Sequence, residues 1–420
     1  MSDVMGPDLI SDLPQSIIES ILIQLPISDA VRTSILSSKW RYKWASITQL
    51  VFDDNCVPFS YDKEVFEKSI VKFITRVLFL HQGPIHKFQI KTTRLQSCPE
   101  IDQWILFLSR NDIKELVIGL GDVEFFRIPS SLFNCRKLVQ LELARCEVDL
   151  PHSFKGFMCL RSLNLHQVLI SPDAVESLIS RCPLLESLSV TYSDNLDLTI
   201  RAPNLKYLNL EGEFKDICLD TPLLIEISFA MYMTDDIAEH FEQSSNCNFV
   251  EFLGSVPNLE KLVGLIYFTK YLSIGIDSVR LPIMYNNLEN IELYQVNFED
   301  TKEILVIIRL ITSSPNLKQL LISGSSNIPV VVDTPDMGFW EKECLSDSTL
   351  NKLQIVKLSE MGGWINEIEF IKYLLGRSPV LETFSIFPCV FDMENNLKIL
   401  IELVKCRRAS ARAEVVFLHE

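Results

Sequence analysis

The sequence predicts an α/β chain in which a small N-terminal module of three helices is joined to a solenoid of repeats, a curved parallel sheet with helices on its outer side. Two observations favour this class. Apolar residues recur at helical spacing through the first fifty positions. After residue 84, a short apolar motif returns at intervals of 19 to 36 residues as far as a C-terminal region, which we expect to close the solenoid.

The composition and charge of the chain argue against several classes of function. Of the 420 residues, 47% are hydrophobic and 22% are charged, which argues against a disordered chain. The net charge of −16 disfavours phosphate backbones as partners, so we expect no nucleic-acid binding. No apolar stretch reaches the ~18 residues of a membrane helix, and the first fifteen residues lack the features of a secretory signal. We therefore expect no membrane association and a location in the cytoplasm, the nucleus or both.

The first helix is predicted from its start signals and its periodicity. Ser11 and Asp12 are good N-cap residues, and Pro14 suits a first helical turn. Pro26 ends the segment. The apolar stripe between these limits consists of Ile17, Ile18, Ile21, Leu22 and Leu25.

Two further short helices are expected before residue 50. Ser28 can cap the second, while Ser37 and Ser38 break it and can cap a third, on which Trp40 and Trp44 share one face. About fifty residues in three helices bury little core alone. The apolar stripe is therefore either a cap on the rest of the chain or a docking surface that a partner completes.

The string from Leu13 to Trp44 resembles an F-box, in the plant form whose second half reads DAVRTS-LS-KWR--W. The resemblance implies docking onto the Skp-type adaptor of a cullin-based (SCF) ubiquitin ligase. It implies no catalytic residue in this chain. The residues that we expect to form the core and the docking surface of the F-box are Leu13, Pro14, Ile18, Ile21, Leu22, Leu25, Pro26, Val31, Leu36, Trp40 and Trp44.

The repeated motif is L-x-x-L-x-L, with Ile, Val or Phe in place of some leucines. Its intervals cluster near the period of leucine-rich repeats, roughly 20–29 residues. Each copy predicts a strand in which the two residues of L-x-L point inward and the residue between them points outward on a concave face. Twelve copies begin at residues 85, 113, 138, 160, 185, 205, 224, 259, 288, 317, 353 and 381.

The outward positions and their neighbours are small or polar, with mixed charge. This composition suits a protein-binding face better than a phosphate cradle, which needs clustered Arg and Lys. The alternative is that these are ordinary solvated strand residues. The candidates for target binding are Gln140, Glu142, Asn164, Ser189, Tyr207, Asn209 and Glu292.

The segments between strands also carry patterns. Residues 53–61 form a linker, and apolar residues from Val65 to Leu78 at helical spacing predict a helix that caps the first repeat. Helices are predicted over residues 173–180 and 300–311. The run 327–343 contains Pro329, Pro335 and Gly338 and is predicted to be a loop.

The C-terminal region alternates strands with helices: strands at 351–358, 381–387 and 414–418, and helices at 366–376, stopped by Gly376 and Pro379, and at 393–406. This order resembles the FBD domain, found at the C-terminus of plant F-box/LRR proteins. Its basic cluster is either a solvated face or a contact for an acidic partner. That cluster is Lys398, Lys405, Arg407, Arg408 and Arg412. The predicted domains are an F-box at 8–50, a linker and capping helix at 51–84, leucine-rich repeats at 85–344 and an FBD domain at 345–420.

Signals for catalysis or metal binding are weak throughout. The chain has 11 cysteines and no C-x-x-C pair, which favours structural thiols. Its six histidines form no H-E-x-x-H motif, and no G-x-S-x-G elbow occurs. We therefore expect a non-catalytic protein without metal or cofactor. The leading hypothesis is the substrate-recognition subunit of an SCF-type ligase, which docks the Skp-type adaptor and holds an unidentified target protein. The alternatives are a repeat scaffold outside any ligase and a small-molecule-dependent receptor.

Overall fold

A computed structural model describes residues 13–95, 98–121, 125–232, 253–274, 284–325, 337–344, 349–389 and 393–418. The chain divides into two compact units, one ending at Val190 and the other starting at Thr191. Both units alternate helices with parallel strands, so the predicted α/β repeat class is confirmed. Within the described ranges, no helix combines the length and the apolar character that crossing a membrane requires.

Unit 1 begins with the helical module. Helix α1 spans Gln15–Ile23 and helix α2 spans Ile27–Arg32. The carbonyl oxygen of Pro14 accepts hydrogen bonds from Ile17 N at 2.9 Å and Ile18 N at 3.2 Å, as expected of a residue that opens a helix. The predicted caps Ser11 and Asp12 lie outside the described residues.

Two local predictions for this module were wrong. Ser28 does not cap α2, because Pro26 holds the N-cap position and Ser28 lies inside the first turn. The third α-helix is replaced by turns and by 3-10 helices at Thr33–Ile35 and Lys43–Ser46. Hydrogen bonds between residues three apart, such as Trp40 N to Ser37 O at 3.1 Å, tighten this segment. The tight turns let both Trp40 and Trp44 become buried within a few residues.

The rest of unit 1 follows the repeat pattern. Strands β1, β2, β3, β5 and β7 form parallel pairs in that order, and β4 and β6 form a separate small pair. The elements are β1 Gln49–Phe52, α3 Lys63–Leu80, β2 Lys87–Lys91, α4 Ile101–Leu108, β3 Glu115–Gly119, β4 Phe126–Arg127, a 3-10 helix Ser130–Asn134, β5 Gln140–Ala144, β6 Cys146–Glu147, β7 Ser162–His166 and α5 Pro172–Ser180. Strand β8, Ser187–Arg201, runs through the unit boundary.

One strand was missed at the start of this series. Strand β1 pairs with β2, with Leu50 opposite Phe88 and Phe52 opposite Ile90. Ile47, which precedes β1, and Leu50 and Phe52 within it have the same spacing as the predicted motifs, so the signal was present in the sequence. The parallel sheet therefore begins before the predicted linker.

The predicted helix over Val65–Leu78 is confirmed as α3, but it connects the paired strands β1 and β2 and does not precede the first strand as a cap. Asp62 caps it, because its Oδ1 accepts hydrogen bonds from Glu64 N at 3.0 Å and Val65 N at 3.3 Å. The stripe that α3 buries contains Phe66, Ile70, Ile74, Val77 and Leu78.

Unit 2 continues the alternation, and strands β9 to β16 pair in parallel in chain order. Its elements are β9 Tyr207–Asp220, β10 Glu226–Met231, β11 Lys261–Gly264, α6 Phe268–Ile274, β12 Asn290–Val296, α7 Thr301–Thr312, β13 Gln319–Gly324, α8 Met337–Cys344, β14 Ile355–Met361, α9 Ile365–Arg377, β15 Thr383–Pro388, α10 Met393–Lys405 and β16 Glu414–Phe417. All twelve predicted motifs coincide with strands of one unit or the other.

One prediction in unit 2 needs correction. Helix α8 covers the end of the run 327–343 that was predicted to be a loop, and residues 326–336 lie outside the described part. Trp340 of α8 is buried and its Nε1 donates to Asn366 Oδ1 at 3.0 Å, a distant contact that stabilises the helix. Helix α9, which was predicted to stop at Gly376 and Pro379, ends between them at Arg377.

The outward residues of unit 2 lie in rows across the strands. Register places Glu226 opposite Lys261 and Lys261 opposite Asn290, and the row continues through Gln319 of β13. The apolar residues that follow these positions, Ile227, Leu262, Ile291 and Leu320, are buried, as the alternation of a strand requires. Each row therefore presents one side chain per strand on the same face.

Candidate protein-binding surfaces

The predicted F-box residues divide into two groups by burial. Ile18, Leu22, Trp40 and Trp44 are buried and form the core of the module. Ile21, Leu25 and Leu36 are exposed, as are Pro14 and Pro26, while Leu13 and Val31 are half-buried. One amphipathic helix thus supplies both a core face and a free apolar face.

The free face includes two residues that the site prediction missed. Ile17 precedes Ile21 by four residues on α1, Leu25 follows just after the helix, and Ile35 precedes Leu36 in the turn after α2. Ile35 and Leu36 are 85% and 67% exposed, values more typical of charged side chains. We call Ile17, Ile21, Leu25, Ile35 and Leu36 the N-terminal apolar set. Five large exposed apolar side chains within twenty residues mark an interaction site.

Polar contacts hold α1 against the turn that carries Trp44. Gln15 Nε2 donates to Ser46 Oγ at 3.0 Å, and Lys43 Nζ donates to Gln15 Oε1 at 2.9 Å. These contacts are exposed, so each contributes little energy. They fix the side of α1 that faces the core and hence the side that carries the N-terminal apolar set.

The target-face candidates of unit 1 are all half-buried. Gln140 and Glu142 lie on β5, and Asn164 lies opposite Glu142 on β7. Ser189 lies on β8 between buried neighbours. Glu142 already forms an ion pair with Lys91, with 2.7 Å between Oε1 and Nζ. This part of the face is therefore polar and internally paired.

The candidates of unit 2 lie in a more aromatic setting. Tyr207 is exposed and lies opposite Glu226, while Asn209 is half-buried. Glu292 accepts a hydrogen bond from the hydroxyl of Tyr294 at 3.1 Å and pairs with Lys261 at 3.1 Å. The hydrogen bond to Glu292 raises the pKa of the Lys261 ammonium, which therefore stays charged at neutral pH.

A tyrosine cluster in unit 2 was missed by the sequence prediction. The rings of Tyr192 and Tyr232 stack with centroids 6.2 Å apart, and the hydroxyl of Tyr232 donates to Glu211. Burial, followed by the Glu211 carboxylate, raises the pKa of Tyr232, so the phenol stays protonated and able to donate. Glu211 is the next outward position after Asn209 on β9, so the alternation extended by two residues would have found it.

We call Tyr192, Tyr232 and Glu211 the tyrosine patch. Tyrosine combines a large apolar ring with a polar hydroxyl and is enriched at the centres of protein interfaces. The patch therefore can bind protein side chains by stacking and by hydrogen bonds at once.

Nine cysteines of the described part, from Cys56 to Cys406, are free thiols. Burial raises the pKa of Cys56, Cys98, Cys135 and Cys146 to about 12 and that of Cys182 to about 11. These five thiols are therefore protonated at neutral pH and are not nucleophiles. Among the described residues, no group of three or more His, Cys, Asp or Glu side chains is placed to hold a metal ion.

Sequence comparisons match all three segments of the chain. The F-box domain profile matches residues 10–49, a profile described as the LRR repeats of FBD-associated F-box protein At5g56370 matches residues 101–322, and the FBD profile matches residues 343–386. F-box/FBD/LRR-repeat protein At1g13570 of Arabidopsis thaliana is 57% identical over 416 residues, which cover 99% of each chain. This chain belongs to the plant F-box/FBD/LRR-repeat family.

More distant members of the F-box/FBD/LRR-repeat family align over the same length. FBD-associated F-box protein At5g56370 of Arabidopsis thaliana is 26% identical over 441 residues, which cover 98% of this chain and 100% of that protein. Among solved structures, a leucine-rich-repeat protein of Leptospira interrogans covers 90% of this chain and 92% of its own, with a TM-score of 0.32 and 14% identity. That structural likeness is too distant to inform function.

Membership in the F-box/FBD/LRR-repeat family identifies the chain as a substrate-recognition F-box protein. Proteins of this family are typically non-catalytic adaptors, and an F-box in general implies binding to a Skp-type adaptor. The domain boundaries at residues 50, 84 and 344 and the individual binding residues stay predictions.

Proposed function

We propose that this chain is the substrate receptor of an SCF-type cullin ubiquitin ligase and that it works in the cytoplasm, the nucleus or both. The F-box docks the Skp-type adaptor, and the repeats and FBD region hold a target protein. The chain contributes no reacting group. It acts by proximity, because holding the target near the charged ubiquitin carrier raises their effective concentration.

The observation that carries this proposal is the division of α1 into two faces. Ile18 and Leu22 are fully buried in the module, so its fold does not depend on a partner for these residues. The N-terminal apolar set is left exposed beside that core. Burying apolar surface stabilises a complex by about 25 cal/mol per Å², so an adaptor that covers the set gains affinity without unfolding the module.

The tyrosine patch and its neighbours supply the target side. In unit 2, Tyr207 lies next to Glu226, and Glu292 lies next to Tyr294 and Lys261. Aromatic rings with paired charges at their rim match the composition of protein interfaces. The rows of outward residues give a target several strands to contact at once.

The test is co-purification of the full chain with a Skp-type adaptor. We expect the wild type to be captured in equal stoichiometry. The double variant Ile21→Glu/Leu36→Glu should lose at least about tenfold in capture, because two charges must be desolvated in the interface. Leu13→Ala/Pro14→Ala should weaken capture less, since Leu13 is only half-exposed.

The matched control is Phe79→Glu on α3. Phe79 is 85% exposed, like Ile35, but lies outside the F-box. It should leave capture unchanged, and circular dichroism should give all variants the melting temperature of the wild type. Failure of the wild type to bind any of several Skp-type adaptors would overturn the proposal in favour of a scaffold outside the ligase.

A further inference from the structure

The C-terminal helix α10 carries a second exposed apolar face. Ile399 and Leu403 are buried and anchor the helix. On the opposite side, Leu397, Leu400, Ile401 and Val404 repeat at intervals of three and four residues, and Val404 is 85% exposed. We call these four residues the α10 stripe. At 100° per residue they fill an arc of about 100°, which is the width of a seam between two helices.

The helix is held in place independently of the stripe. Lys372 of α9 pairs with Glu402 at 3.0 Å, on the side of α10 away from the stripe. After the helix, Ala409 N donates to Leu375 O at 2.9 Å, and Ser410 Oγ donates to Leu381 O at 2.7 Å. The stripe thus lies on a helix that contacts outside the stripe hold in place.

Cations border the stripe. Lys398 and Lys405 lie on the helix edge next to Leu397 and Ile401, seven residues and about 10 Å apart along the axis. Lys405 Nζ also pairs with Glu402 Oε1 of the same helix at 3.1 Å, a contact that is exposed and therefore weak. Exposed Arg407, Arg408 and Arg412 follow on the anchored segment. Residues 397–412 carry five cations and one anion, a net charge of +4, in a chain whose net charge is −16.

From the stripe and its border we propose that α10 docks an acidic amphipathic helix of another protein. Apolar residues of that helix at i, i+3, i+4 and i+7 pack on the α10 stripe, and its Asp and Glu side chains lie along the edge of Lys398 and Lys405. This is the helix-in-groove mode of recognition. The α10 stripe lies in the FBD region, apart from the N-terminal apolar set and the tyrosine patch, and its assignment does not rest on the proposed function.

Charge favours an acidic helix over two other possible occupants of the α10 stripe, a second copy of α10 and an anionic membrane. A second copy of α10 would bring the Lys and Arg side chains of both copies together along one seam, which costs energy. An anionic membrane repels a chain whose net charge is −16. The stripe also contains none of the Trp or Phe side chains that anchor interfacial helices. An acidic helix satisfies both the apolar stripe and its cationic border.

The test titrates the full chain into a labelled peptide and follows fluorescence anisotropy. The probe is a designed helix of about 20 residues with leucines at i, i+3, i+4 and i+7 and glutamates along its flanks. Its counterpart carries lysines in place of the glutamates. We expect the acidic peptide to bind at least tenfold tighter than the basic one and to lose affinity as salt rises.

Substitutions then locate the site. Ile401→Glu/Val404→Glu should weaken the acidic peptide at least tenfold, whereas Phe79→Glu, a substitution of equal exposure elsewhere, should not change its affinity. Lys398→Glu/Lys405→Glu should reverse the preference, so that the basic peptide binds better. Hydrogen exchange should show that the acidic peptide protects α10, and melting temperatures should match those of the wild type.

Several results would overturn the proposal. Equal affinity for the two peptides, no binding of the acidic peptide, or binding insensitive to Ile401→Glu/Val404→Glu would each do so. A dimer in sedimentation velocity that Val404→Glu dissociates would assign the stripe to a second copy. Stripe-dependent binding to phosphatidylserine vesicles would assign it to a membrane surface.

Discussion

Thr269 donates its hydroxyl hydrogen to the carboxylate of Glu303, with 2.6 Å between Thr269 Oγ1 and Glu303 Oε2. Both residues are buried, and the bond joins α6 to the first turn of α7. Asn297 N adds a second donor at 3.3 Å. Desolvation raises the pKa of Glu303, and these two hydrogen bonds oppose the rise. The pair therefore makes burial of a carboxyl group tolerable between two repeats.

Removing the Thr269 hydroxyl should destabilise unit 2. Thr269→Val leaves Glu303 with one donor fewer, which costs about 1–3 kcal/mol for a buried acceptor. The measurement is the midpoint of urea unfolding. Thr269→Ser keeps the hydroxyl and is the control; equal midpoints for Val and Ser would show that the bond contributes nothing.

Glu367 should make stability depend on pH. Desolvation raises the pKa of this buried carboxyl to about 7 from an ordinary value of 4.5, and backbone donors of Gly362 and Trp364 only partly offset it. Between pH 4.5 and 7 the unfolded chain ionises while the folded chain keeps its proton. This group therefore stabilises less as pH rises, by up to about 3 kcal/mol.

Glu367→Gln should flatten that part of the profile. The comparison is the free energy of unfolding of wild type and variant at pH 4.5 and pH 7.5, and the difference between the proteins should grow in favour of the variant at the higher pH. Exposed Glu382→Gln serves as the control and should follow the wild type. A difference that is constant across the range would contradict the assignment.

Two glycines of unit 2 should respond in opposite directions. A methyl group on Gly264 would overlap the buried ring of Phe268 and lie 2.8 Å from Leu293 Cδ2, so Gly264→Ala should destabilise by about 1–3 kcal/mol. Gly376 lies in α9 with nothing within 4 Å of such a group. Gly376→Ala should stabilise by about 0.5–1 kcal/mol. Thermal unfolding of both variants tests the pair, and a shift of the same sign in both would refute the prediction.

The two faces of α1 should separate in hydrogen exchange. Leu22→Ala opens a cavity in the core of the module and should cost about 2–5 kcal/mol, which speeds exchange of α1 amides by at least about tenfold. Ile21→Ala removes an exposed side chain of the same helix and should leave exchange nearly unchanged. Comparable acceleration in both variants would mean that the whole helix, and not one face, supports the core.

Sequence periodicity predicted most of the fold because alternation and the 3.6-residue repeat are imposed by the backbone itself. Leu208 and Leu210 of β9 and Phe66 and Ile70 of α3 lie inside as their spacing requires. Helix α8 could not be found this way. Its local signals of Pro335 and Gly338 favour a loop, and the bond from Trp340 to Asn366 that stabilises it joins residues 26 apart in the chain.

The candidate surfaces were less predictable for a similar reason. The apolar stripe of α1 is visible in the sequence. Which of its residues are buried, as Leu22 is, and which stay exposed, as Ile21 does, depends on how Trp40 and Trp44 fold back beside the helix. The rings of Tyr192 and Tyr232 stack although forty residues separate them in the chain, and no local sequence pattern predicts that contact. Residue spacing finds the elements, whereas contacts between elements decide which side chains stay free.

The in-register rows of unit 2 fix the spacing at which a bound segment can contact successive strands. Neighbouring strands lie about 4.8 Å apart, so Glu226, Lys261 and Asn290 repeat at that interval. Same-side residues of an extended peptide repeat at about 6.6 Å and fall out of step by about 4 Å at the third strand. One helical turn advances about 5.4 Å. The pitch of a helical ligand segment therefore nearly matches the spacing of the strands, so that one turn can contact each strand. The residue spacing of an extended segment does not match it.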